Sequence, residues 1–120
     1  MPILKLPSRS DAPAASLHDW GPVGLPLGEP ACALRGMKMA APGEHAPEMG
    51  VWECTPGRYR RQIRSAETMH VLSGSATFTP DGGEPVTLAA GDLFFFGPDT
   101  LGVWNIHSTL RKVYVVYTPG

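Results

Sequence analysis

The chain has 120 residues, 42% hydrophobic and 18% charged, with a formal net charge of −1 at pH 7. That is the size and composition of one soluble globular domain able to bury its own core. The near-neutral charge offers no footprint for nucleic acid or an anionic membrane surface, and no apolar run approaches the roughly 20 residues that span a bilayer.

Residues 1–30 hold six prolines and little periodicity. Proline removes a backbone donor and blocks helix interiors. This stretch is expected to be an extended arm lying over the body of the protein or on a second subunit, or else a tail without fixed structure. Its opening, MPILKLPSRSDAPAA, lacks the continuous apolar stretch of a secretory signal, so a cytoplasmic location is expected. Two cysteines, Cys32 and Cys54, are too few for a disulfide framework and match no zinc spacing. They are expected to be reduced, partly buried thiols.

From residue 31 to residue 120 the sequence reads as a single body of strands. Ala31–Met39 has strand character, and 40–47 reads as a loop. Gly50–Cys54 is a short strand closed by a Thr55-Pro56-Gly57 turn, and Arg58–Arg64 is a charged strand. Glu67–Thr79 reads as a strand pair bent or broken at Ser73-Gly74. Asp81-Gly82-Gly83 is a hairpin signal. Pro85–Leu88, Leu93–Phe96, Gly102–Ile106 and Lys112–Tyr117 are further strands separated by Gly-rich turns. Turn signals about every 8–12 residues, with no helical period, indicate a sandwich or a closed barrel. Closure also hides the edges that LFFF and KVYVVY would otherwise expose.

Two segments carry more than strand character. One is Glu67 followed by Gly74 within ETMHVLSG. The other is Gly91-Asp92 running through Gly97 to Trp104 within GDLFFFGPDTLGVW. Together they resemble the two motifs of the cupin superfamily. GVWEC with Pro56-Gly57-Arg58, Asp81–Pro85, Gly102-Val103-Trp104 and Arg111-Lys112-x-Tyr114 narrow the resemblance to small cupins of the ureidoglycine aminohydrolase and ethanolamine-utilisation type. The resemblance implies an all-β, jelly-roll barrel, commonly a homodimer, with a ligand site at the barrel mouth.

Most cupins with chemistry bind a divalent metal through three His and one Glu, a donor set suited to manganese, iron, nickel or zinc. By that resemblance Glu67 fills the Glu position. The paired His positions fall on Arg60 and Gln62, or one residue later on Arg61 and Ile63. The last His position falls on Gly102, which should leave room where an imidazole would sit. No metal is therefore expected. If one is bound, Glu67, Gln62 and His70 are the candidate ligands, and His70 is also the candidate second acid or base beside Glu67. His70 lies three residues beyond Glu67, so a regular strand points it to the other face, and only a bulge would bring it round. His18 and His45 lie in the irregular N-terminal region, and His107 is expected in a loop at the rim.

Period-2 alternation puts Met69 and Val71 with an inward Glu67, and Trp104 and Ile106 with Gly102. The expected mouth then holds Arg60, Gln62, Glu67 and Trp104, walled by Met69, Phe94 and Phe96. A carboxylate beside an arginine is either a mutually neutralising pair or an anchor for a zwitterionic or carboxylate ligand. Three readings follow. The first is a metal-independent protein binding a small polar organic molecule. The second is a hydrolase, lyase or isomerase acting on a small amino, ureido or carboxylate compound, with Glu67 as acid or base at a raised pKa, or as a metal ligand. A third is a scaffold with a filled barrel.

Overall fold

The computed structural model describes Ile3, residues 17–40, Gly43 and residues 46–117. Much of the expected N-terminal arm, part of the 40–47 loop and His45 lie outside these. Eight strands make up the described regular structure: β1 (His18–Pro22), β2 (Ala33–Ala40), β3 (Glu48–Cys54), β4 (Gly57–Arg61), β5 (Glu67–Pro80), β6 (Val86–Ala89), β7 (Leu93–Phe96) and β8 (Gly102–Val116). All pair antiparallel, in the order β1-β2-β3-β8-β5-β6, with β4 added to β8 and β7 added to β5.

Two long strands organise the barrel. The second half of β8 pairs with β3 from Leu110 to Val116, and its first half pairs with β4 from Gly102 to Ile106. In the same way β5 gives Glu67–His70 to β7 and Ser75–Phe78 to β6. One strand serving two neighbours in turn lets the sheet curl over on itself. The curl is made at register shifts of β5 between Val71 and Ala76, the local bend that bulges supply. Gly74 sits there at φ +87°, where a Cβ would collide with the Thr109 carbonyl oxygen, so the bend needs glycine twice over.

The segments read as separate strands at Gly102–Ile106 and Lys112–Tyr117 are therefore one 15-residue strand, and Glu67–Thr79 is bent, not broken. The strand expected over Arg58–Arg64 stops at Arg61. Within the expected arm, His18–Pro22 is a strand in spite of its Gly and Pro, because it pairs with β2.

The core is the barrel interior. Phe78, Phe96 and Trp104 form its aromatic centre, with ring centroids 4.9 Å apart for Phe78–Phe96 and 5.0 Å for Phe78–Trp104. Phe96 stacks on Trp104 at 5.8 Å. Such pairs add about 0.5–1.5 kcal/mol beyond area burial. Met69, Val71, Leu88, Ile106 and Leu110 complete it, all essentially inaccessible.

Candidate functional site at the barrel mouth

The interior face of β5 carries Glu67, Met69 and Val71, as the period-2 reading requires, and all three are buried. The interior face of β8 carries Gly102, Trp104 and Ile106 and, further along, Leu110, Lys112 and Tyr114. Directly opposed residues of an antiparallel pair share a face. The partners of Trp104 and Gly102 on β4 are Tyr59 and Arg61, so these two point inward.

That pairing overturns the expected Arg60 position. Arg60 turns outward and makes a two-point ion pair with Asp81, at 2.6 and 3.1 Å. The inward arginine is Arg61, one residue later. Gln62 is exposed and sits against Gly24, whose missing side chain makes space for it. Arg60 and Gln62 thus reach only the rim of the mouth.

Arg61 and Lys112 both reach Glu67. Arg61 donates to Glu67 Oε1 at 2.8 Å, and Lys112 Nζ donates to Oε2 at 2.8 Å. All three side chains are at most 4% exposed. The other terminal nitrogen of Arg61, Nη1, donates to the carbonyls of Ile63 and Thr100 at 2.9 and 2.8 Å, and the Phe96 ring lies 5.0 Å behind the guanidinium. The Lys112 ammonium lies 4.4 Å from the Trp52 ring centre and 5.4 Å from that of Trp104. Cation–π contact of this kind stabilises a desolvated ammonium by about 2 kcal/mol. Burial pushes the Glu67 carboxyl up, but the Lys112 and Arg61 charges and hydrogen bonds outweigh it and hold Glu67 below the usual carboxylate range. The expected raised pKa is reversed, because the aromatic walls come with two cations.

Above this triad lies a cavity of about 460 Å³, within the range of small-molecule sites. Trp52, Trp104, Tyr59 and Tyr114 wall it from the barrel, and Trp20, Val23 and Gly24 close it from the N-terminal segment. Burial raises both tyrosine pKa values, that of Tyr114 to about 12, so both phenols stay protonated at neutral pH. Met69, Phe94 and Phe96 do not line the cavity; Met69 and Phe96 are buried behind its wall, and Phe94 packs partly buried against the core.

The space expected at Gly102 is filled. A Cβ there would strike the Thr79 carbonyl oxygen and lie 2.9 Å from the Phe78 ring. His70 is exposed on the outer face, opposite Leu93, and no bulge brings it toward Glu67. His107 is on β8, not in a loop, and its Nε2 hydrogen-bonds Thr77 Oγ1 at 2.8 Å. Glu67, Gln62 and His70 are thus not brought together. Among the described residues no group of three His, Cys, Asp or Glu could hold a metal, and both Glu67 oxygens already receive cationic donors. The donor set does not fit the cupin metal.

Two features were not anticipated. Lys112 was placed on a separate strand, although unbroken period-2 counting from Trp104 puts it on the same face. On the outer face Glu53 lies between Arg35 and Arg111, the latter donating to Glu53 Oε2 at 2.8 Å, and these charges hold its pKa down against burial. Cys32 and Cys54 are both buried, free thiols. Burial raises both pKa values, and the neighbouring Cys32 pushes that of Cys54 up further, which suits inert thiols rather than nucleophiles.

The sequence matches the EutQ-like cupin domain family over residues 43–114. No curated protein matches the chain. Among solved structures, the EutQ protein of Clostridium difficile is similar at 20% identity and a TM-score of 0.65, over 76% of this chain and 72% of that one. A DUF861-family protein of unknown function from Pseudomonas syringae pv. tomato gives 22% identity and a TM-score of 0.74, over 83% of this chain but only 43% of that one. A protein of unknown function from Rhizobium leguminosarum gives 18% and 0.61, over 72% and 82%. At these identities the structural likeness speaks to the fold alone.

Proposed function

This chain belongs to the EutQ-like cupin domain family, and we propose that it binds a small polar organic molecule in the barrel mouth without a metal. The observation that carries the reading is the pairing of Glu67, the position a cupin metal would use, with Arg61 and Lys112 beneath an aromatic cavity. The resemblance to ureidoglycine aminohydrolase adds amino, ureido and carboxylate compounds as the field to search. The reading of Glu67 as a general acid or base is weakened by its lowered pKa and by the occupation of both its oxygens.

The test is a thermal-shift screen of the full chain against small acids, amines, ureas and neutral amides, with divalent metals in parallel. A ligand at about 100 times its Kd stabilises by about 2.7 kcal/mol. At least one organic compound is expected to raise Tm, and Trp52→Ala should abolish the rise. A screen with no organic hit, or stoichiometric metal in the purified protein, overturns the reading.

A cytoplasmic homodimer is proposed as the working form. Two free thiols accord with a reducing compartment. Phe95, Val115 and Met49 lie in one cross-strand row of the outer face, and Leu93, Val113 and Val51 in the next. Leu93 is 70% and Phe95 65% exposed, which supports a covered face. Light scattering of the Phe95→Glu variant should read a monomer; a monomeric parent chain would refute the dimer.

A further inference from the structure

The charges around the cavity do not cancel. Lys38 pairs with Glu48 at 3.0 Å, and Arg60 pairs with Asp81 at 2.6 Å, both at the exposed rim. The buried floor keeps two cations, Arg61 and Lys112, against one anion, Glu67. The protonated phenols of Tyr59 and Tyr114 bring no negative charge. The floor therefore carries one uncompensated positive charge where water is scarce, which is costly to leave unpaired.

The donors are unbalanced in the same sense. An ammonium has three N–H groups. Those of Lys112 meet Glu67 Oε2 and, weakly, Met69 Sδ at 3.8 Å. Among the described residues the third has no oxygen or sulfur partner, only the Trp52 and Trp104 rings nearby, and is open to an incoming acceptor. Each Glu67 oxygen already takes a cationic donor, so a further donor arriving there would have to lie beside a cation. Around this point the walls are flat and apolar: the Trp52 and Trp104 rings are 6.4 Å apart between centres, and the Trp20 ring, lying over Gly36, lines the same cavity.

Resting on the binding reading above, we infer that the ligand class is a small organic monoanion, a carboxylate on a planar unsaturated body. The carboxylate meets the Lys112 and Arg61 end and brings the floor to neutrality. The body lies against the indoles. Amines and dications are repelled by the same two residues that neutralise Glu67.

All three tryptophans of the chain line the cavity, so intrinsic fluorescence reports entry directly. The probes are benzoate, benzamide and benzylamine, matched in shape and differing in charge. They are titrated into the full chain by fluorescence and calorimetry. Benzoate should bind at least about tenfold more tightly than benzamide, and benzylamine should not bind. In Lys112→Met, benzoate should fall to the level of benzamide, while Lys112→Arg should keep most of the preference. Benzamide or benzylamine binding as well as benzoate overturns the anion inference and leaves the binding reading standing. Silence of all three overturns the inference too, and only a blank in the wider screen as well takes the binding reading with it. Should Lys112→Met fail to fold by circular dichroism, the charge series on the unaltered chain decides alone.

Discussion

Replacing Lys112 by Met removes the ammonium from Glu67 while keeping a side chain of similar length between the indoles. The structure sets the cost. One charge-assisted hydrogen bond of 2.8 Å is lost, worth about 1.5–3 kcal/mol. Two cation–π contacts, at 4.4 and 5.4 Å, are replaced by ordinary packing, for about 1 kcal/mol more. Arg61 still neutralises Glu67, so the total should stay at the low end of the roughly 3–5 kcal/mol of a broken buried pair. About 3 kcal/mol is expected. Glu67→Gln should cost about 3–5 kcal/mol, since it leaves two buried cations facing each other. The double variant removes the conflict and should fall short of the sum by about 2–3 kcal/mol, the coupling of groups in direct contact. Urea denaturation followed by circular dichroism measures all four corners, with unchanged m confirming a common unfolded state. Additivity within about 0.5 kcal/mol would mean that the two residues do not interact, and the reasoning about the mouth would fail with it.

Acid should act through the same carboxylates. Glu67 and Glu53 both have folded pKa values below 4.5, so the unfolded chain takes up their protons first. Their contribution to stability is full above pH 4.5 and is lost as pH falls through the lower folded values; Glu67→Gln should flatten that acid limb in urea midpoints, and an unchanged limb would count against the assignment. Arg61→Met should be strongly destabilising while Arg60→Ala stays close to the parent by thermal denaturation, and the reverse order would restore the face first expected for β4. Gly102→Ala should cost about 2–3 kcal/mol by overpacking against Thr79 and Phe78. By contrast Gly82→Ala, at φ +73° with nothing within 4 Å, should cost only about 1–2 kcal/mol for its left-handed backbone.

The barrel was legible because strand length, turn chemistry and alternation agreed along most of the chain. Glu67, Met69 and Val71 fell on the right face for that reason, as did Trp104 and Ile106. Arg58 to Arg61 offered no such contrast: RYRR has a single apolar residue to fix the phase, and Tyr59, not the arginines, marks the inward face. A one-residue error there exchanged Arg61 for Arg60. Lys112 was lost differently. Exposed polar residues at 107–109 interrupt the apolar pattern of β8 and imitate a turn, though hydrogen bonding carries the strand through them. Gly102 could not have been read correctly from its own neighbours, because the atoms that fill its space come from Phe78 and Thr79 on another strand.

The cavity is lined from both sides of the family-match boundary. The match to the EutQ-like family begins at residue 43, whereas Trp20, Val23, Gly24, Leu34 and Lys38 line the cavity from earlier in the chain. The triad and strands β3 to β7 lie within the matched segment, whereas β1, β2 and one side of the pocket lie ahead of it. The chain ahead of residue 43 shapes the surface that a ligand meets opposite the floor, so changes there can alter selection without touching the triad. A piece cut at residue 43 would lose β1 and β2, and with them that side of the enclosure.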